Sequence, residues 1–314
     1  MTDVSIIVVT YNSEWDKLQL TLLSAVKQKN ISIQIIIADD GSEDTFDHKI
    51  TQMFKKLKFD NYVIVNNPIN RGTVLNISSA LEHVEGVYTK TIAPGDYFCE
   101  EFALSKWVEF MKRNNALASF GDAVYYSDYN QMKYIRTKGA PVNKHLYRNE
   151  ASSVKVFVDY IVANDTILGA AQMIETNTIK KYIQLISNQI IYAEDYMLRI
   201  MVFDGIHICY YPRSVILYEY GTGISTSKNS KWSELLHVDF EISNNIIQQR
   251  ISNNKYQIRL QKYLLNRHLR INKLLKIIYF PTVLIYRLNM RIAKPCIPID
   301  ANDINPKWLE ERED

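Results

Sequence analysis

The sequence predicts an α/β protein, and three observations support that prediction. Short β-branched apolar runs alternate with stretches whose apolar residues recur at helical spacing. The chain has 314 residues, 47% of them hydrophobic, enough for one large domain or about two ordinary ones. Polar, acid-rich clusters follow directly after the β-branched runs, where ligands bind in open α/β sheets.

The elements follow in order. Val4–Val9 is a β-branched run, expected as a buried parallel strand. Leu18, Leu22, Ala25 and Val26 then recur at helical spacing. Ile33–Ala38 is a second strand, and Phe46, Ile50, Met53, Phe54 and Leu57 mark a second helix. Tyr62–Val65 is a third strand, Leu75, Ala80, Leu81 and Val84 a third helix, and Val87–Ile92 a fourth strand. Repeated units of this length imply right-handed crossovers. Glu194–Phe203 is expected as a helix with Met197, Leu198 and Met201 inward, and His207 in a packed apolar strand.

Composition narrows the class. With 10 Gly and 8 Pro no long flexible linker is expected. Cys99, Cys209 and Cys296 are scattered and form no CxxC, which argues against a zinc knuckle or disulfide framework and for a reducing cytoplasm. The N-terminus shows no basic region or small-residue cleavage site, so no signal peptide is expected.

The chemistry should sit after the strands. Strand one ends in Thr10-Tyr11-Asn12-Ser13 and strand two in Asp39-Asp40-Gly41-Ser42-Glu43-Asp44. Strand three is followed by Asn70-Arg71-Gly72, and strand four by Ala93-Pro94-Gly95-Asp96. Neither GxGxxG nor GxxxxGK[ST] occurs, which removes the main support for a dinucleotide-binding or P-loop protein. Acidic groups in place of a glycine-rich phosphate loop need a cation to hold a diphosphate.

Val-Ser-Ile-Ile-Val-Val-Thr-Tyr-Asn, Ile-Ile-Ala-Asp-Asp-Gly-Ser-Glu-Asp, Asn-Arg-Gly and the later Ala193-Glu194-Asp195-Tyr196 resemble, in that order, the motifs of family 2 glycosyltransferases. The resemblance spans roughly residues 3 to 225. It implies a GT-A fold and inverting transfer of a sugar from a nucleotide-sugar. Asp39 would accept the imide N–H of uracil or thymine, with Thr10, Tyr11 and Asn12 beside the base. Asp40, Asn70, Arg71 and Gly72 would belong to the nucleotide site, Arg71 near base and phosphates, although Asp40 also suits a helix cap. Asp96 would ligate Mn²⁺ or Mg²⁺, which take one or two carboxylates plus phosphate oxygens. Here the chain departs from the family pattern, with Ala93 and Gly95 where Asp is usual. Asp195 would be the general base that inversion requires, and Glu194 would orient the acceptor or the loop. Gly221, Gly223 and Ser225 would form a loop over the site. Tyr125, Tyr126 and Tyr129 are candidates for stacking on a sugar, with core packing the fate of most tyrosines.

The expected domains are a catalytic unit over 1–225, with a donor half to about 98 and an acceptor half beyond, and a basic helical extension over 226–314. Between Glu241 and Asp300 there are eleven Lys and Arg and no acid. Since the whole chain carries only +3, the rest is net −8. Such a segment suits phosphates, of nucleic acid or of anionic lipid. The longest uncharged run, Ile277–Tyr286, is half the length of a bilayer span and contains Pro281, so a helix lying on an anionic membrane is expected, or else an oligomer contact. The acceptor is accordingly expected to be a saccharide, lipid-linked, in surface polysaccharide assembly, with the enzyme on the inner face of the membrane. Two rivals are weaker. A sugar nucleotidyltransferase needs a Gly-rich basic loop after strand one, where this chain has Tyr-Asn-Ser-Glu. A nucleic-acid-binding protein needs aromatic platforms among the cations, and Tyr256 and Tyr263 are too few, so no nucleic acid is expected.

Overall fold

The computed structural model describes residues 1–128, 130–131, 133–137, 140–148, 153–223, 230–252, 254–266, 268–295, 297–298, 300 and 308–309. Strands β1 (Val4–Thr10), β2 (Ile33–Asp39), β3 (Tyr62–Asn66) and β4 (Tyr88–Ile92) alternate with helices α1 (Trp15–Val26), α2 (Asp47–Lys56) and α3 (Thr73–Leu81). All four strands and all three helices fall where the apolar patterns predict them. The second half adds β5 (Tyr97–Phe98), α4 (Ala103–Arg113), β6 (Ala118–Tyr126), α5 (Ser153–Phe157), β7 (Gln172–Glu175), α6 (Thr176–Ile186), α7 (Met197–Phe203) and β8 (Ile208–Glu219). The strands form one sheet in the order β3-β2-β1-β4-β7-β6-β8-β5.

Both faces of the sheet are covered. Val4, Ile6 and Val8 point into one core with residues of α1, α2 and α4, while Ile7 points into the other with residues of α3, α6 and α7. This is why β1 reads as a continuous apolar run. β1 pairs in parallel with β2 and β4, and β2 with β3, so their carboxyl ends share one edge. Each fully buried Ile or Val contributes about 1.5–3 kcal/mol relative to exposure. That burial anchors the strands whose ends carry the polar loops.

The C-terminal helices α8 (Ser230–Gln249), α9 (Lys255–Leu265), α10 (Asn272–Tyr279) and α11 (Val283–Ile292) join the same core as α7. Leu260 and Leu264 of α9, Phe280, and Val283 of α11 are buried in it. Two sequence expectations change in detail. Glu194 and Asp195 do not begin the helix; they form a 3₁₀ turn, Glu194–Tyr196, that leads into α7. His207 precedes β8 and is half-buried, because the strand starts one residue later.

Candidate active site

A cavity of about 670 Å³ opens at the carboxyl ends of β1 and β4. Its wall includes Thr10, Tyr11, Asn12, Asp40, Asn70, Gly72, Asp96, Glu194, Asp195 and Gly223 from the predicted set. Asp39, Arg71 and Gly221 do not line it. Ser225 and Tyr129 lie outside the described residues.

One wall is a web of strand-end contacts. Asp39 Oδ1 accepts the Ser42 N–H at 2.7 Å, and Oδ2 accepts the Thr10 and Ser42 hydroxyls at 2.9 and 2.6 Å. Asn12, at φ 45°, donates its N–H to Ser42 Oγ at 2.7 Å and accepts the Glu43 N–H on Oδ1 at 3.1 Å. Asp40 accepts the N–H groups of Arg71 and Gly72, the latter at 2.8 Å, so it holds the 70–72 loop. Asn70 Oδ1 also accepts the Gly72 N–H, at 3.2 Å. Arg71 departs from expectation. Its Nη2 donates to Asn67 Oδ1 at 2.5 Å and Ser79 Oγ at 2.6 Å, which ties the guanidinium to α3 instead of the cavity. Gly72 has φ 90°, and a Cβ there would clash with the Ile191 side chain and lie 2.7 Å from its carbonyl oxygen. That close approach lets Ile191 O accept the Val74 N–H at 3.0 Å, which joins this wall to the one opposite.

The floor is acidic. Asp96, 5% exposed, accepts the Ala93 N–H on Oδ2 at 3.0 Å and closes the Ala93–Asp96 turn. Gly95 is at φ 98°, and a Cβ there would sit 2.6 Å from Glu219 Oε2. The Glu219 carboxylate therefore occupies the ground where the family pattern puts a side chain at 95. Glu219 Oε1 pairs with Lys17 at 3.0 Å, and Lys17 also meets Glu14 at 3.1 Å. Lys90 of β4 is wholly buried, with Nζ donating to the carbonyls of Thr91 (2.8 Å) and Ala170 (2.5 Å). Burial pushes the Asp96 carboxyl up; the Ala93 N–H and Lys90 oppose this, and Glu219 adds to it. Burial pushes Lys90 down, against the pull of Asp96 and Glu194.

The opposite wall carries Glu194 and Asp195. Its backbone hangs from α8. Asp239, 2% exposed, accepts the N–H groups of Ile191 (3.1 Å), Tyr192 (2.8 Å) and Ala193 (3.0 Å). Trp232 and Leu236, also from α8, line the cavity. One helical turn past Asp195 is Arg199, 3% exposed, donating to Tyr160 O, Ile161 O and Asn244 Oδ1. Burial raises Asp195; its own N–H and Arg199 oppose this, and Asp239 adds to it. Burial also raises Glu194, and Asp195 raises it further. Burial thus raises both carboxyls of the pair above the ordinary range, so each holds its proton more tightly than an exposed acid would.

Sequence reasoning missed Glu219, Lys90, Lys17 and Asp239. Glu219 had a signal, an acid at the end of a strand-like segment. Asp239 had none, since it acts 46 residues from the loop it holds. Tyr125 lines the cavity as expected, whereas Tyr126 stacks on Tyr97 and donates to Gly95 O at 2.6 Å. Among the described residues no group of three or more His, Cys, Asp or Glu is arranged to hold a metal. Asp96 and Glu219 are oxygen donors of the kind that hard divalent cations take alongside phosphate and water.

The glycosyl transferase family 2 model matches residues 5–168. A curated relative, the UDP-Glc:alpha-D-GlcNAc-diphosphoundecaprenol beta-1,3-glucosyltransferase WfaP of Escherichia coli, is 28% identical over 127 residues, 40% of this chain and 48% of that protein. The chain spans about half the length of the curated relatives it matches. The structure of S. aureus TarS 1-349 in complex with UDP-GlcNAc superposes with TM-score 0.58 at 17% identity, over 85% of this chain and 72% of that one. The mannosyltransferase PcManGT from Pyrobaculum calidifontis, in complex with GDP-Man and Mn²⁺, gives 0.55 at 12% identity, over 96% and 77%. These neighbours share the GT-A fold. With the family model matching more than half of its length, the chain belongs to glycosyl transferase family 2.

Proposed function

We propose that the enzyme transfers a sugar from a UDP- or dTDP-sugar, with inversion, to a lipid-linked saccharide at the inner face of the membrane. The observation that supports this best is the meeting of Asp96 and the Glu194–Asp195 pair around one cavity at the strand ends. Inversion needs a base on the face of the sugar opposite the leaving diphosphate. Asp195 accepts the proton of the acceptor hydroxyl as that oxygen attacks the anomeric carbon. Glu194, beside it, orients the acceptor. Asp39 lies behind the cavity wall and, by accepting from Thr10 and Ser42, fixes the loops that would flank a pyrimidine base. Tyr11, half exposed on the wall, offers its ring beside that base.

Asp96 and Glu219 would hold Mn²⁺ or Mg²⁺, whose chemistry is to neutralise charge on the departing diphosphate. The UDP donor draws support from the UDP-GlcNAc complex of TarS, and the lipid-linked acceptor from the diphosphoundecaprenol named for WfaP. α8 is part of the catalytic unit in this reading, because Asp239 holds the base loop. The test is thermal shift against a panel of nucleotide-sugars with Mn²⁺, since a ligand that binds only the native state stabilises it by mass action. A UDP- or dTDP-sugar should raise the melting temperature most; a larger shift with GDP-sugars overturns the base assignment.

A further inference from the structure

We propose that the outer faces of α10 and α11 form a docking surface for an anionic lipid bilayer. Its purpose rests on the lipid-linked acceptor above; its test does not. Ten of the 21 large apolar side chains exposed among the described residues fall within 265–292. α10 leaves Leu274 and Ile278 55% and 61% exposed, although its neighbour Phe280 is in the core. α11 is apolar on two sides. Val283 and Tyr286 face the protein, while Leu284, Ile285, Leu288 and Ile292 are 50–66% exposed. A helix on a globular body ordinarily keeps its outer face polar. The repeat 284-288-292 is one face of the helix at four-residue spacing, aimed at solvent.

Charge selects the occupant. Arg270, Lys273, Arg291 and Lys294 stand exposed among these residues, and no acid occurs between Glu241 and Asp300. The rest of the chain is net negative, so an anionic surface attracts this face and repels the body. A second copy of the chain would set cations against cations. Not every cation serves: Arg250 pairs with Asp204, and Lys276 turns inward over the Tyr263 ring at 5.3 Å. Each cation near such a surface is worth about fivefold in partitioning. The apolar face adds shallow insertion into the headgroup boundary, as interfacial helices do. No helix of the described residues is long and apolar enough to cross a membrane.

The structure also dictates the experiment. Deleting the tail would strip Leu260, Leu264, Phe280 and Val283 from the core, so point substitutions on the full chain are needed. The intact protein should sediment with vesicles of phosphatidylglycerol and phosphatidylcholine, and much less with phosphatidylcholine alone. High salt should release part of it. Leu284→Ser, Ile285→Ser and Leu288→Ser together should cut partitioning at least about tenfold. Arg270→Glu with Lys273→Glu should abolish the preference for anionic vesicles. UDP binding and the melting temperature should persist in both variants, which separates this surface from the donor site. Equal binding to neutral vesicles overturns the charge argument. No vesicle binding, with a dimer in sedimentation that the Ser variant dissolves, would make a second copy the occupant.

Discussion

The loops after β1, β2 and β3 hold one another across neighbouring strand ends of the sheet: Asp39 binds Ser42, Asn12 binds Ser42 and Glu43, and Asp40 binds the 70–72 loop. The Glu194–Asp195 loop facing them is suspended from a helix that begins 35 residues later, by three hydrogen bonds to one buried carboxylate. The first wall, proposed for the donor, is thus built by adjacent strand ends of one sheet, and the second, proposed for catalysis, by a helix packed from outside it. Damage to the first should weaken donor binding. Damage to the second should slow the chemical step while the donor still binds.

The largest effect expected is at the base. Asp195→Asn keeps size and removes the proton acceptor, so turnover should fall by roughly 10²–10⁴-fold. Calorimetric affinity for the nucleotide-sugar should hardly change. Near-wild-type turnover would show that the catalytic wall supplies no base. Next is the metal corner, which belongs to the donor side. Chelation with EDTA should stop transfer, and Mn²⁺ should restore it. Asp96→Ala should weaken UDP binding by at least roughly 10–100-fold, the loss that even an outer-shell partner of a metal causes. Binding of uridine, which has no phosphate for the metal, should change far less. Full activity in chelator would mean that transfer needs no metal.

The contrast also explains what the sequence made legible. β1 and β2 are buried on both faces, so their apolar runs and the polar loops after them are visible without any partner. Four motifs in order then point to the family. Asp239 looks like any acid on an amphipathic helix, because its partners are backbone amides that carry no residue code. Arg71 sits in a recognisable motif, yet Asn67 and Ser79 draw its side chain toward α3, a choice made by packing. The tail shows the same limit. Its periodicity announces helices, but only the folded body decides that Phe280 and Val283 turn in while Leu284 and Ile285 stay out.

Asp239→Ala should sharpen the comparison at intermediate size. It leaves three backbone donors without their acceptor, each at a cost of about 1–3 kcal/mol if no water replaces it. We expect roughly tenfold lower kcat with little change in donor affinity. Ser42→Ala should do the reverse on a smaller scale. It removes the hydroxyl that bridges Asp39 and Asn12, and one such bond is worth about 1 kcal/mol, so donor affinity should fall roughly fivefold with kcat intact. A kcat loss in Ser42→Ala, or a donor-affinity loss alone in Asp239→Ala, would break the division between the walls.

The smallest effect is in the pH profile, and it tests whether Asp239 acts by charge as well as by geometry. Asp195 must be ionised to accept a proton, and burial raises its carboxyl above the ordinary Asp value. Activity therefore drops as pH falls through that raised value, giving an acid limb higher than an exposed carboxylate would show. The Asp239 charge lifts Asp195 further, whereas Arg199 holds it down. Asp239→Asn removes the negative charge but keeps an oxygen to accept from the loop, so the acid limb of kcat/KM should move to lower pH. Arg199→Met should move it to higher pH. Opposite displacements in the two variants require that both charges reach the base through the protein. A limb unmoved in Asp239→Asn, together with a lowered kcat, would mean that the helix holds the loop by hydrogen bonds alone.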